Sequence, residues 1–207
     1  TENVNNNSLS LTIGGVRALN QENLYSKRNL EKFKVFIGFK NSVCTNLCIS
    51  TDGLKIDIRV SSVFELQKKI NELVQQFNKD RFLGNMERMS KFYLNELQFA
   101  HLMGKMRMYQ YLKVEEKVDK FGLTMTDNQI STVVKNYYED PNFSRSCDRE
   151  INLWNFYNLM TDANKSSYID SNLERNVNAF EFVSQLANSI QNQKENWFLD
   201  QIVYDNK

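Results

Sequence analysis

The stretch from Lys32 to Val60 decides the fold and reads KFKVFIGFKNSVCTNLCISTDGLKIDIRV. Apolar and polar residues alternate in residues 32–40, 43–50 and 54–60, which is the period of a half-buried β-strand. Between these runs lie Asn41–Ser42, which has the composition of a tight turn, and Thr51–Gly53, which contains the Asp-Gly hairpin signal. The stretch therefore predicts three consecutive hairpin-linked strands, an antiparallel meander with one apolar and one solvent-exposed face.

The residues on either side of this stretch extend the pattern. Upstream, Leu9, Leu11 and Ile13 alternate with polar residues and predict a further strand that ends at Gly14–Gly15. Downstream, the apolar residues recur at helical spacing in five patterns. Four of them begin near Ser62, Asn95, Thr126 and Asn152, and the fifth spans Ala179 to Ile190.

Two of these helical patterns open with a capping box, in which a Ser or Thr hydroxyl and a Glu or Gln side chain satisfy free backbone N–H groups. They are Ser62–Glu65 and Thr126–Gln129.

The order of the elements, strands first and helices afterwards, predicts an α+β fold, with the N-terminal antiparallel β-meander packed by about five C-terminal helices. We expect a single domain over 1–207, with the sheet in 1–60 and a mainly helical part in 61–207. Because the chain begins at Thr1 without an initiator Met, we also expect a fragment that lacks its native N-terminus.

The composition excludes most enzyme classes. His101 is the only histidine, so any Ser/His/Asp or Cys/His triad would have to be built on it, and most zinc sites are ruled out. Three cysteines, an odd number, argue for a reducing compartment. Cys44 and Cys48 are four residues apart, ~13 Å along a strand, which is too far for one ion or one disulfide. We expect no metal and no cofactor. A pair of catalytic carboxylates distant in sequence stays open, and an enzyme ranks third among the hypotheses.

The charge is distributed unevenly along the chain. Residues 1–120 carry 19 basic and 13 acidic side chains, whereas residues 121–207 carry 7 and 12, which gives +6 and −5 and sums to the net +1. In the basic part, the solvent-exposed face of the meander would display cations around one aromatic ring, which suits single-stranded DNA: lysines take phosphates and the ring stacks on a base. The candidate nucleic-acid-binding residues are Lys32, Lys34, Phe36, Lys40, Lys55 and Arg59. Alternatively, these lysines keep the sheet edges from pairing with other chains, and Phe36 lies under a helix or under missing chain.

A second candidate is a polar patch on the helix that begins near Asn152. Its residues are Asn155, Asn158, Thr161, Asp162 and Lys165. Amides both donate and accept hydrogen bonds, so such a row could hold a loop, a base edge or a partner backbone. The alternative interpretation is that these amides are buried and fix the turn at residues 165–170.

Three stretches of the chain carry a resemblance. Residues 23–28 read NLYSKR, residues 34–46 read KVFIGFKNSVCTN, and residues 152–170 read NLWNFYNLMTDANKSSYID. In them the chain resembles a Bacteroidetes family, the domain of unknown function numbered 3871, which is common on mobile elements. More distantly, residues 43–46 and Trp154 with Asn158 and Thr161 resemble the phage/plasmid-like protein family. That family tends to continue with Thr-Glu and soon a His, whereas residues 161–164 read TDAN here.

The resemblance implies a cytoplasmic protein of phage, plasmid or integrative-element origin and brings no established activity with it. The leading hypothesis is a non-enzymatic accessory protein of DNA transactions that binds single-stranded DNA. Its alternative is a module that binds a host or element-encoded protein, such as an antagonist of a host defence or restriction factor. With no run of 18 apolar residues, no membrane partner is expected.

Overall fold

The computed structural model describes residues 2–4, 7–17, 31–41, 45–113, 115, 123, 125–140 and 149–200. Within them an N-terminal antiparallel sheet precedes six α-helices, so the predicted α+β class is confirmed. The strands of this sheet are β1 (Glu2–Val4), β2 (Asn7–Arg17), β3 (Glu31–Asn41), β4 (Leu47–Cys48) and β5 (Leu54–Val60).

Strand β3 is the centre of the sheet. Strand β2 pairs with one edge of β3, while β4 and β5 share the other edge, β4 at Phe39–Lys40 and β5 at residues 31–36. The prediction of a simple meander was therefore wrong, because β5 pairs with β3 and not with β4. The reason is local: residues 51–53 form a short 3-10 turn, in which Gly53 N donates to Ser50 O at 2.9 Å, and this turn returns the chain to β3.

Strand β2 continues through Gly14 and Gly15 to Arg17, beyond the predicted end. Gly14 lies directly opposite Phe36, and a Cβ atom on Gly14 would come within 2.5 Å of Cζ of the phenyl ring. An aromatic ring over a strand glycine covers the backbone that the missing side chain leaves bare. The glycine therefore makes room for Phe36 and does not end the strand.

A β-bulge in β5 changes which face its side chains use. Phe33 pairs with Ile58 and Val35 pairs with Lys55, so β5 has an extra residue between the two pairs. In this bulge Asp57 has a φ of 54°, in the left-handed region. Directly opposed residues project from the same face of a sheet. Lys55 therefore shares a face with Val35, whereas uninterrupted alternation would place it on the opposite face.

Six helices follow the sheet. They are α1 (Val63–Gln76), α2 (Lys79–Lys91), α3 (Glu96–Tyr109), α4 (Asp127–Glu139), α5 (Leu153–Asn164) and α6 (Ile169–Gln191). Helix α2 was not predicted from the sequence. Two short strands, β6 (Tyr93–Leu94) and β7 (Ile151–Asn152), pair with each other at the starts of α3 and α5.

The capping predictions are confirmed in their main feature. At α4, Thr126 and Gln129 make both hydrogen bonds of the capping box. At α1, Ser62 Oγ accepts from Glu65 N at 3.2 Å, while the Glu65 carboxylate reaches one residue further back and accepts from Ser61 N at 2.7 Å. These bonds satisfy the free N–H groups at the helix starts.

Helices pack on both faces of the sheet. Helix α1 covers one face, where Leu73 packs with Val35, Ile37, Ile58 and Val60. Helix α6 covers the other, where Leu173 and Val177 form a cluster with Ile49. The C-terminal half of α6 joins the main core, in which α5 is buried along nearly its whole length. The predicted solvent-exposed face of the sheet is thus partly covered by α6.

Candidate functional site

The six predicted nucleic-acid contacts do not form one surface. Lys34 lies under α6, where its Nζ is 2.6 Å from Oε1 of Glu174. Lys55 lies on the opposite face of the sheet, because of the bulge, and its Nζ is 3.2 Å from Oε2 of Glu72 on α1. The hydrogen bond from Lys69, and next that from Lys55, lower the pKa of Glu72 below its usual value. Two of the predicted phosphate contacts are therefore engaged with carboxylates of different helices.

Phe36 is half-buried and packs against the cluster of Ile49, Leu173 and Val177. The expectation that this ring is exposed was wrong, and the alternative, a ring under a helix, describes its position. Of the remaining predicted residues, Lys40 and Arg59 are exposed. Arg59 lies opposite Lys32 in the pairing of β5 with β3. The side chain of Lys32 lies outside the described part of the chain.

The predicted polar patch is divided between the core and the surface. Asn158 and Thr161 are buried, with 2% and 1% of their surface exposed. Asp162 lies toward α4, where its Oδ2 accepts from Asn136 Nδ2 at 2.9 Å and its Oδ1 lies 2.8 Å from Lys165 Nζ. Asn155 is half-buried, and its backbone N–H donates to the Asn152 side chain that caps α5. These five residues do not present one binding row.

Buried amides instead connect the end of β3 and the residue before β4 to α5. Asn41 Nδ2 donates to Asn158 Oδ1 at 3.3 Å, and Asn46 Nδ2 donates to the backbone oxygen of Asn158 at 2.9 Å. The buried alternative for Asn158 is therefore correct, although Asn158 holds Asn41 at the end of β3 and Asn46 just before β4, and not the turn at residues 165–170.

A second group of amides fixes the junction of α5, α6 and β4. Asn164 Nδ2 donates to Asn176 Oδ1 at 3.1 Å, and Asn176 Nδ2 donates to the backbone oxygen of Leu47 at 3.0 Å. Asn172 Nδ2 donates to the backbone oxygen of Asn164 at 2.7 Å. Because buried polar groups must be hydrogen-bonded, this network makes the asparagines structural.

The Glu96 carboxylate belongs to an ion pair. At the start of α3, Glu96 Oε1 accepts from Tyr138 Oη at 2.7 Å and from Arg149 Nη1 at 2.9 Å. The hydrogen bond from Tyr138, followed by that from Arg149, lowers the pKa of Glu96, and the bond to Glu96 raises the pKa of Tyr138. Among the described residues, no group of three or more His, Cys, Asp or Glu side chains could hold a metal ion. Cys48 is a buried free thiol, and Cys44 and Cys147 lie outside the described residues.

The outward face of α3 is a feature that the sequence analysis missed. We call it the α3 stripe; it consists of Leu97, Ala100, Gly104 and Met108 on α3 and Tyr111 in the turn that follows, spaced at three, four, four and three residues. All five are exposed, and Leu97, Met108 and Tyr111 expose 80%, 59% and 75% of their surface. The opposite side of α3 is also apolar and lies in the core, with Phe99, Leu102, Met103 and Met106. A surface helix normally has a polar outward face, so the apolar residues on both sides of α3 were the signal that could have found the stripe.

An apolar groove of about 300 Å³ runs beside the α3 stripe, between α3 and α4. Its lining consists of Met103, Gly104, Arg107, Ile130, Ser131 and Val134. A Cβ atom added to Gly104 would have no heavy atom within 4 Å, so the groove is open at this position. At one end Asp127 accepts from Arg107 Nε at 3.3 Å and from Tyr111 Oη at 3.2 Å. The groove offers apolar contact with little opportunity for hydrogen bonding.

None of the helices in the described part of the chain is long and apolar enough to cross a membrane. No curated protein and no solved structure matches the chain. Residues 1–199 match the family described as "Domain of unknown function, B. Theta Gene description (DUF3871)". Since this match covers nearly the whole sequence, the chain belongs to that family.

Proposed function

We propose that this protein is a non-enzymatic protein-binding module and that the α3 stripe and the groove beside it form its contact surface. One observation carries the proposal: three large apolar side chains, Leu97 and Met108 on α3 and Tyr111 in the turn after it, are more than half exposed beside an open apolar groove. Single exposed apolar residues are ordinary, but a contiguous row beside a groove is typical of a protein interface.

The shape of this surface favours a helical segment as its ligand. Apolar residues spaced by three and four positions on α3 offer anchors to a second helix that lies alongside. Gly104 and Ser131 are small, so a helix can approach the backbone between the larger Leu97 and Met108. The predicted partner is therefore a protein that presents an amphipathic helix with its apolar side toward the groove.

Binding to single-stranded DNA stays a prediction with weaker support. Its stacking ring, Phe36, packs with α6, and Lys34 and Lys55 face carboxylates on opposite sides of the sheet. Lys40 and Arg59 are exposed cations. Arg59 lies opposite Lys32 on β3, and Lys32 is eight residues, or ~27 Å, from Lys40 along that strand, so the two cations are far apart. A mobile-element origin and a cytoplasmic location are also part of the proposal, and the resemblance in residues 23–28, 34–46 and 152–170 supports them.

A photo-cross-linking residue at position 108 tests the surface directly. We expect one polypeptide to be cross-linked in native cells from Met108 and from Leu97, and much less from Lys91, a matched exposed position on α2. That polypeptide, purified, should bind the purified chain, and Met108→Glu should weaken the binding about tenfold or more because it buries an unpaired charge. Equal cross-linking from all three positions, or no binding by the purified polypeptide, would contradict the proposal.

A gel shift with single-stranded oligonucleotides separates this proposal from the DNA hypothesis. The protein-binding proposal requires no contact with DNA, so it predicts no shift at any salt concentration. A shift that weakens steeply with salt and is reduced in the double variant Lys40→Ala/Arg59→Ala would instead indicate phosphate contacts with released counterions.

A further inference from the structure

Strand β2 forms one edge of the N-terminal sheet, and β1 covers only part of that edge. Strand β1 pairs with residues 7–9 of β2, whereas β2 continues to Arg17. Within the described part of the chain, no strand pairs with the outer edge of residues 10–16. The Thr12 hydroxyl donates to Ser10 O at 3.1 Å, a bond within β2 and not across its edge. Backbone N–H and C=O groups therefore point outward along ~23 Å of strand.

The other edge of the same sheet, β5, has two features that keep a further strand from pairing, namely charged side chains and a bulge. It carries Lys55, Asp57 and Arg59, and the bulge at Asp57 interrupts its ladder with β3. Residues 10–16 of β2 read SLTIGGV, which contains no charge and no proline, and they pair with β3 without a shift in register. The sheet is therefore protected from strand addition at β5 and open to it at β2.

An apolar row borders the open edge on the face of the sheet that carries α1. Leu11 and Ile13 lie on this face, opposite Phe39 and Ile37 of β3, and they expose 52% and 50% of their surface. The α1 cluster is built on β3 and β5 and contains neither Leu11 nor Ile13. Gly15 is the next residue on the same face and is also exposed. Leu11, Ile13 and Gly15 thus form a row that no helix of the described chain buries.

From these observations we infer that the open edge of β2 binds an extended segment of another polypeptide, which adds a strand to the sheet beside residues 10–16. The inference goes beyond the proposed function, because it assigns a second contact surface on a different element. An extended backbone offers N–H and C=O groups at the spacing of a strand edge, so the edge itself specifies this class of ligand. The added strand continues the line of β1 and, like β1, runs antiparallel to β2.

The row on β2 also specifies the side chains of the ligand. Directly opposed residues project from the same face, so every second ligand residue lies opposite Gly15, Ile13 or Leu11. The two aliphatic side chains favour Val or Ile opposite them, and an aromatic ring opposite Gly15 would cover its bare backbone. The intervening ligand residues lie opposite Thr12 and Gly14, on the other face, and can be polar. The expected ligand is a segment of about seven residues, apolar at three alternate positions.

A synthetic peptide with this pattern, Glu-Phe-Thr-Val-Thr-Val-Lys with blocked ends, is the probe for the edge. We expect it to bind the purified full chain with half-saturation at roughly 0.1 mM, measured by fluorescence anisotropy of a labelled peptide. Backbone N-methylation tests the ladder itself, because successive N–H groups of a strand point to opposite edges. We compare peptides methylated at all even or at all odd positions. One of them loses its bonds to β2 and should bind at least about tenfold more weakly, whereas the methyl groups of the other face solvent and should leave binding unchanged.

Substitutions in the protein locate the bound peptide. Ile13→Lys places a charge on the open edge and should weaken binding of the peptide about tenfold or more. Ile56→Lys is the matched control, since Ile56 lies on β5 and exposes 49% of its surface, against 50% for Ile13, and it should bind like the wild type. Met108→Glu should also bind like the wild type, because the α3 stripe is a separate surface. Circular dichroism should show an unchanged fold in all three variants.

Several outcomes overturn the inference. They are no binding to the wild type at ~1 mM peptide, equal affinities of the two methylated peptides, and a folded Ile13→Lys variant that binds like the wild type. The methylated peptides are used with the wild type, so they decide even if Ile13→Lys does not fold. Loss of binding in Met108→Glu but not in Ile13→Lys would place the peptide on the α3 stripe, which overturns this inference and supports the proposed function. A wild type that sediments as a dimer and becomes monomeric on Ile13→Lys would show that a second copy occupies the edge, which also overturns it.

Discussion

Gly14 and Phe36 form a pair in which the ring takes the space of the missing side chain. Gly14→Ala would bring a Cβ atom within 2.5 Å of Phe36 Cζ, so the ring must move against α6. We expect a loss of about 1–3 kcal/mol in the free energy of unfolding, as for other overpacked sites. Gly15→Ala is the control, since its Cβ atom would be 3.3 Å from the nearest atom, Lys34 O. Urea unfolding measures both.

The combination with Phe36→Leu makes this prediction specific. If the ring is the obstacle, Gly14→Ala should cost less in the Phe36→Leu background than in the wild type, with a coupling of at least about 0.5 kcal/mol. Additive effects of the two substitutions would show that the ring does not limit the space at Gly14.

Asn176 is the residue on which the second amide group depends. Asn176→Ala removes the acceptor of the Asn164 side-chain amide and the donor to the Leu47 carbonyl oxygen. Asn164 is buried, with 1% of its surface exposed. Buried polar groups left without partners should lower the free energy of unfolding by about 1–3 kcal/mol in chemical denaturation. Asn192→Ala, which removes an exposed amide bonded to Asn188, should change it by less than about 0.5 kcal/mol. Equal effects would show that burial of the Asn176 amide does not matter.

At the scale of the elements, Glu96 connects the start of α3 to Tyr138 on α4 and to Arg149, two residues before β7. Its pKa is lowered by Tyr138 and Arg149, so the folded state binds a proton at Glu96 more weakly than the unfolded state. The stability that it contributes is therefore present above its usual pKa of 4.5 and is lost as the pH falls through the lowered value. We expect Glu96→Gln to be less stable than the wild type at pH 7 in urea unfolding, with a difference that shrinks as the pH falls below 4.5.

The raised pKa of Tyr138 gives the opposite sign at high pH. The folded state holds this proton more tightly, so its contribution is complete below the usual value of 10.0 and is lost as the pH rises through the raised value. The difference between the wild type and Glu96→Gln should thus shrink at both ends of the pH range. A difference that stays constant from pH 3 to pH 11 would contradict the prediction.

Local signals predicted the elements well, whereas their pairing required longer-range information. The cap at Thr126 and Gln129 marks α4 correctly, because its hydrogen bonds lie within four residues. The bulge at Asp57 has no comparable signal, and it moves Lys55 to the other face. Helix α2 escaped prediction because Gly84 lies inside it and Met86 and Met89 supply much of its buried side. The candidate DNA site was misplaced chiefly because a helix 140 positions away in sequence covers Lys34.

At the scale of the whole molecule, α6 joins the sheet to the helical core. Leu173 and Val177 pack with Ile49 of the sheet region, whereas Phe180 and Val183 lie in the main core with α2 and α5. We therefore expect one cooperative unfolding transition, in agreement with the predicted single domain. Far-ultraviolet circular dichroism, which follows the backbone, and tryptophan fluorescence, which follows Trp154 and Trp197, should give coincident denaturation curves. Two separated transitions would show that the sheet and the helical core unfold independently.

The cover that α6 provides also has a consequence for the protein during its synthesis. Leu173 leaves the ribosome 113 residues after Val60, which at 5–20 residues per second corresponds to roughly 6–23 s. During that interval Phe36, Val16 and Leu54 have no α6 to cover them, although β3 could already pair with β5. The nascent sheet therefore presents an apolar surface, and rapid overproduction should favour its aggregation over folding.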